Sequence, residues 1–263
     1  MRIKGEKMIK KSKNKRSLSE KILSVNVSNL SEREILRMID ARIKKRKRTV
    51  IYTPNPQILL SANRSSAERA LLNSSDINLP DGIGLVLASR MLGGSIRKRI
   101  GGIDLGSALL CLAQKRGYRV YLLGAEKGVA KRAKRNLLRI YPRLKICGTH
   151  HGYFGKSKHS NKKIIKAIKK ARADMVFVCM GYPTQEKWIF ENSPSLPDVS
   201  LCIGLGGSLD VWSGRSKRAP MPFRLLGLEW LYRTVKEPRR IRIFLDIPSF
   251  LFTVWKSKPR GRY

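Results

Sequence analysis

The sequence predicts a Rossmann-like α/β domain, a parallel sheet with helices on both faces, followed by a basic C-terminal helical appendage. Three observations predict it. Short apolar runs alternate with amphipathic stretches between about residues 49 and 207. The runs are near-continuously apolar, as strands covered on both faces are. The residues that follow them are glycine, proline and polar types, gathered at the strand ends where such sheets place their ligands.

In chain order, residues 1–20 carry eight Lys/Arg against Glu6 and Glu20 and read as a solvated, disordered basic arm. In "LSEREILRMIDARI", Ser31 and Glu34 stand at capping-box spacing, and Ile35, Leu36, Met38, Ile39 and Ile43 follow at helical intervals. Strands are expected at "TVIYT" (49–53), "DINL" (76–79), "RVYLLG" (119–124), "LKICG" (144–148), "DMVFVCMG" (174–181) and "VSLCIGLGG" (199–207). Helices are expected at 104–117, 126–141 and 161–173. These elements make residues 21–222 the α/β domain. Residues 223–263 form a basic, aromatic appendage in which Pro238 and Pro248 are expected to break any long helix. Aromatic residues beside arginines suit a membrane interface, and equally a helix docked on the core.

The chain of 263 residues has 56 Lys+Arg against 18 Asp+Glu, a formal charge of +38. The surplus is concentrated in the arm, in "RIKKRKR" (42–48) and in residues 215–263. It favours a polyanionic partner, nucleic acid or an anionic lipid surface, without choosing between them. Cys111, Cys147, Cys179 and Cys202 have no CxxC spacing and read as small hydrophobes of a reducing compartment. No His or Cys grouping suggests a metal, and no cofactor is expected. The N-terminus lacks a signal-peptide apolar region, and no run reaches the ~18 apolar residues of a membrane span, so a cytoplasmic protein is expected.

Two nucleotide motifs fail. "GIGLVL" and "GLGGSL" begin as dinucleotide fingerprints but end in Leu87 and Leu209. "HHGYFGKS" lacks the first glycine of a P-loop. What remains is a set of candidates at the strand ends. Asp81, before Gly82 and Gly84, suits either an N-cap or a general base. Thr53 and Asn55 suit caps of the helix near Gln57. Gln185 and Glu186 suit a helix first turn, and Arg99 with Asp104 suits a surface ion pair. Gly206, Gly207 and Ser208 offer backbone N–H groups to a diphosphate.

Six stretches carry a resemblance: "YTPNPQILLSA", "LPDGIGLVLASRMLGG…RIGGIDL", "VYLLGAEKGVAKRA", "VFVCMGYPTQEKWI", "GLGGSLDVWSGRSKRAP" and "LEWLYRTVKEPRR". In this order they resemble the WecG/TagA/CpsF glycosyltransferases from about residue 23 to 245. The resemblance implies transfer of a hexose, N-acetylmannosamine or a related sugar, from a UDP-sugar to a polyprenyl-diphosphate-linked sugar, with inversion and without an essential metal. It implies peripheral attachment to the inner face of the cell membrane, in synthesis of bacterial surface polysaccharide. By motif it makes Asp81 the base and Thr53 its companion, and places Arg99 and Gln185 in the pocket. It brings Arg233 and Arg240 of the appendage to the donor diphosphate.

These residue types suit the chemistry. An inverting transfer needs one base beside the acceptor hydroxyl. The departing diphosphate needs cations or N–H donors, here arginines and Gly206–Gly207. Asp210 is a candidate for the uridine ring or ribose. The sequence leaves open a basic nucleic-acid-binding protein, a family member using another hexose for capsule or exopolysaccharide, an inactive member, and self-association into a homo-oligomer.

Overall fold

The computed structural model describes residues 18–155, 158–225, 229, 231–232 and 241–258, with the backbone alone at 158–159, 225 and 241–245. Arg233, Arg240 and residues 1–17 of the expected arm lie outside the described residues.

A hairpin opens the described chain: β1 (Ser19–Ile22) pairs antiparallel with β2 (Val25–Ser28). The domain boundary expected at residue 20 falls inside β1. The hairpin escapes sequence reading because Leu23 and Ser24 occupy its turn at φ +47° and +64°. Such turns usually advertise themselves with Asn-Gly or Asp-Gly, and Leu-Ser gives no such signal.

Helix α1 (Glu32–Lys44) then starts at the expected capping box, with Ser31 and Glu34 bonded reciprocally. Next come β3 (Thr49–Tyr52), α2 (Pro56–Arg64), α3 (Ser66–Asn73), β4 (Ile77–Asn78), α4 (Ile83–Met91) and α5 (Gly102–Arg116). They are followed by β5 (Arg119–Gly124), α6 (Val129–Ile140), β6 (Lys145–His150), α7 (Lys158–Lys170), β7 (Met175–Cys179) and α8 (Thr184–Asn192). The series closes with β8 (Leu201–Gly204), α9 (Ser208–Trp212), α10 (Met221–Leu225) and α11 (Ile241–Ser257).

The six expected strands form one parallel sheet in the order β4-β3-β8-β7-β5-β6. Both its faces are covered, because alternate residues of each strand enter different cores. Val120, Leu122, Met175, Phe177, Leu201 and Ile203 pack under α1, α5, α6 and α9. Tyr121, Leu123, Val176, Val178 and Cys202 pack under the hairpin and α2, α4, α7, α8 and α11. Burial on both faces explains why these strands read as unbroken apolar runs.

The strand order reverses between β3 and β8. From β3 the chain moves outward to β4 by way of α2 and α3, and from β8 it crosses to α9 under the opposite face. Neighbouring strands whose chains depart to opposite faces leave a crevice at their carboxyl ends. That crevice is where the candidate residues converge.

Pro248 does not end a helix, contrary to expectation: α11 runs through it from Ile241 to Ser257. Phe250 and Val254, both fully buried against α2 and α4, hold the helix beyond the proline. Tertiary burial outweighs the lost backbone hydrogen bond. Among the described residues no helix is long and apolar enough to cross a membrane.

Candidate active site

A cavity of about 730 Å³ opens at the carboxyl ends of β3, β4, β7 and β8. Thr53, Asn55, Asp81, Gly82, Gly84, Arg99, Gln185, Gly206 and Gly207 all line it. Residues from four separate motifs therefore share one wall. Asp210 lines a second cavity, together with Tyr153, Trp188 and Cys179, that adjoins the first along Pro183, Gly206 and Gly207.

Asp81 sits just beyond β4. Its backbone N–H donates to the carbonyls of Leu79 (2.9 Å) and Pro54 (3.2 Å), fixing the turn. It does not cap α4, whose N-cap is Gly82 without a side-chain bond. Instead Oδ2 accepts from the N–H of Gly102, the first residue of α5, at 3.1 Å. Among the described residues no donor reaches Oδ1. Burial pushes this carboxyl up to about 6, against the lowering effects of the Gly102 hydrogen bond and the Arg99 charge. A carboxylate anchored by one oxygen, with the other unoccupied and an affinity for protons near neutrality, is equipped as a general base.

Thr53 crosses the crevice: its hydroxyl donates to the Gly204 carbonyl at 3.0 Å, tying the end of β3 to that of β8. Its methyl side lies against Gly102, where a Cβ would fall 3.0 Å from Thr53 Cγ2. Asn55 caps α2, its Oδ1 accepting from Ile58 N at 3.0 Å. The cap occupies Oδ1 and leaves the Nδ2 group for the cavity.

The two glycines after Asp81 have different reasons to be there. Gly82 takes φ +101°, which L side chains rarely adopt. Gly84 is not a loop residue but part of α4, and a Cβ there would stand 2.6 Å from Pro56 Cγ. Its smallness brings α4 against α2.

Gln185 is buried at 2% exposure in the first turn of α8. Its Oε1 accepts from Gly206 N at 2.9 Å and its Nε2 donates to Glu186 Oε1 at 2.9 Å. This corrects the expected diphosphate donors. Gly206 N–H is spent on Gln185, and Ser208 N–H on the Leu205 carbonyl at 3.1 Å. Of the three, Gly207 alone has an N–H that meets no acceptor among the described residues. Glu186, next to Gln185, is buried and its carboxyl is pushed up by that burial.

Arg99 and Asp104 do not form the expected ion pair. Arg99 Nη2 donates to the Arg224 carbonyl at 2.5 Å. Asp104 receives a two-pronged bond from Arg218 at 2.7 and 3.1 Å, and Arg218 also lies 3.5 Å from Glu229. The segments after α9 are thereby tied to the start of α5, at the rim of the cavity. Glu229, Asp246, Glu68 and Tyr182 line the cavity, and Arg218 bonds to its wall through Asp104, none of them singled out by the sequence reading. Asp104, read there as half of a surface pair, belongs with them. For Glu68 a signal exists, since Ser65 and Glu68 repeat the capping-box spacing. Among the described residues, no group of three His, Cys, Asp or Glu could hold a metal ion.

This arrangement can be set beside known proteins. The description "Glycosyl transferase WecG/TagA/CpsF family" matches residues 20–263. The chain belongs to the WecG/TagA/CpsF glycosyltransferase family. The match includes the last stretch, which the motif resemblance leaves out beyond residue 245. The chain is 41% identical over 209 residues to the N-acetylglucosaminyldiphosphoundecaprenol N-acetyl-beta-D-mannosaminyltransferase of Bacillus subtilis (strain 168), covering 80% of each chain. The protein of the same name from Bacillus spizizenii is 37% identical over 216 residues, covering 82% of each. That from Staphylococcus aureus (strain MW2) is 36% identical over 208 residues, 79% of this chain and 80% of the relative.

Proposed function

We propose that this chain moves a hexose of the N-acetylmannosamine type from a UDP-sugar to a sugar on polyprenyl diphosphate, with inversion, Asp81 acting as general base. The names of its relatives support the acceptor and the transferred sugar. The observation that carries the mechanism is Asp81 itself, held by Gly102 through Oδ2 with Oδ1 unoccupied beside the cavity.

In the proposed step the acceptor hydroxyl attacks the anomeric carbon as the bond to the UDP oxygen breaks on the opposite face. The hydroxyl proton passes to Asp81 Oδ1, and the electron pair of the broken bond leaves with UDP. Arg99 and the Gly207 N–H, both on the cavity wall, offset the charge on the departing diphosphate, and the resemblance adds Arg233 and Arg240. The second cavity, with Asp210 and Tyr153 on its wall, offers room for the nucleoside. Gln185 acts through Gly206 and positions the loop between the two cavities.

The enzyme is proposed to work on a membrane surface from the cytoplasmic side. Phe252 and Trp255 on α11 are 55% and 60% exposed, stack with ring centroids 5.9 Å apart, and have Lys256 over the Phe252 ring. Exposed aromatics beside a cation suit the lipid headgroup region.

Incubating purified chain with a panel of UDP-hexoses and an N-acetylglucosamine-diphosphate-lipid analogue tests the reaction. Transfer from UDP-N-acetylmannosamine that Asp81→Asn abolishes is the expected result. Wild-type turnover by Asp81→Asn would remove the mechanism.

A further inference from the structure

Carboxyl groups outnumber cations among the described residues of the cavity wall, in a strongly basic chain. Among the described residues its lining includes the carboxyl groups of Glu68, Asp81, Asp104, Glu229 and Asp246, against one guanidinium, that of Arg99. Arg218, bonded to Asp104 and near Glu229, supplies one more cation.

Glu68 is the least expected of the five. It follows Ser65, the N-cap of α3, at the spacing that elsewhere produces a capping box. In α1 that box closes, Glu34 Oε2 accepting from Ser31 N at 2.7 Å. In α3 only half of it forms: Ser65 accepts from Glu68 N at 3.3 Å, but the Glu68 side chain turns away from the helix end. There Oε2 accepts from Ser61 Oγ at 2.5 Å and from the Tyr182 hydroxyl at 2.6 Å. Among the described residues no donor reaches Oε1, and no cation hydrogen-bonds the group. The two hydroxyls, and to a smaller extent the charge of nearby Lys187, hold its carboxyl below the usual carboxylate range, so it stays ionised.

We infer that Glu68 is a sugar-binding residue that selects by charge, its Oε1 accepting a hydroxyl of an uncharged hexose and its negative charge turning away a hexuronate. This rests on the proposed transferase reading and deepens it. A hydroxyl donating to a carboxylate makes one of the stronger hydrogen bonds available to a neutral ligand. A sugar carboxylate in the same place meets like charge in a partly desolvated cavity and finds no donor at Oε1. Glu68 equally disfavours phosphate, which leaves the nucleotide to the Gly206–Gly207 side of the cavity. The hydroxyl can come from the donor hexose or the acceptor sugar, and the assay separates them.

The test compares wild type with Glu68→Gln, using UDP-N-acetylhexosamine against the matching UDP-hexosaminuronate, and lipid-diphosphate acceptors bearing a neutral sugar or a uronate. In the wild type the neutral member of the sensitive pair is preferred. In Glu68→Gln the KM of one neutral substrate rises about tenfold or more with kcat within about threefold, the size expected for one charged hydrogen bond. The kcat/KM of the matching uronate itself rises, so the uronate-to-neutral ratio rises by more than the roughly tenfold that the neutral substrate's KM alone would give. The substrate whose KM moves identifies the source. Unchanged KM values and ratios in a variant that melts like wild type overturn the inference and leave the transferase reading standing. If Glu68→Gln does not fold, Glu68→Asp serves: it keeps the charge but withdraws it by one methylene, and an unaltered KM overturns the inference. A wild-type chain that transfers no hexose from any UDP-sugar overturns both readings.

Discussion

A carboxyl group that titrates near 6 binds its proton more tightly in the folded chain than in the unfolded one, and Asp81 is such a group. Between about pH 4 and 6 its contribution to stability therefore falls as pH rises, and above 6 the full cost of a buried charge is present. Asp81→Asn removes that cost and keeps an oxygen for Gly102. The variant should be more stable by about 2 kcal/mol at pH 7.5, a few degrees in Tm, and show no gain at pH 4. Thermal melts at the two pH values check this. In the wild type, transfer should fall about tenfold per pH unit below 6 and level off above it, since only the ionised form accepts a proton. At Gln185 the cost has the opposite sign. Gln185→Ala leaves Gly206 N–H and Glu186 Oε1 without their partner, so it should lose about 2–4 kcal/mol by denaturant unfolding and raise the donor KM about tenfold. The roles of Asp81 and Thr53 are legible as possibilities in the sequence. The bond that decides against the α4 cap joins residues 21 positions apart, and no local pattern encodes it.

Helices and strands with strong periodicity read correctly for a physical reason: their burial is decided by the run of side chains within each element. All six sheet strands and the α1 capping box fall in this class. What fails is what tertiary packing decides. The β1–β2 turn uses Leu23 and Ser24 against turn preference, and α11 passes through Pro248 because Phe250 and Val254 are buried elsewhere in the fold. Helix α11 also brings Asp246 and Ile247 to the cavity wall. Phe250→Ala should therefore cost about 3–5 kcal/mol, the usual penalty for emptying a buried aromatic position. It should lower transfer beyond what the remaining folded fraction accounts for. Phe252→Ala, on the exposed side of the same helix, should leave Tm within about 1 °C of wild type, as surface changes do. Melting both variants alongside the transfer assay separates docking of α11 from its outer face.

Across the whole molecule, the charge of +38 is stated by composition, while the described lining of the cavity holds more carboxyl groups than cations. Two partner classes compete for that surplus. Nucleic acid would be bound through cations alone, with binding that falls steeply as salt rises and disappears at high salt. A membrane would be bound through cations and through the exposed Phe252–Trp255 pair together, so part of the affinity should survive salt. Co-sedimentation at about 50 and 300 mM salt, with vesicles containing anionic lipid and with DNA of matched charge, distinguishes them, because the Debye length more than halves over that range. Wild type should lose nearly all DNA binding at the higher salt and retain measurable vesicle binding. The Phe252→Ala, Trp255→Ala double variant should keep its DNA binding at low salt but lose the salt-resistant vesicle fraction. Equal loss of both ligands with salt, indifferent to the aromatic pair, would leave the surface charge as the sole attachment. A lipid-linked acceptor would then have to come to the cavity without help from α11.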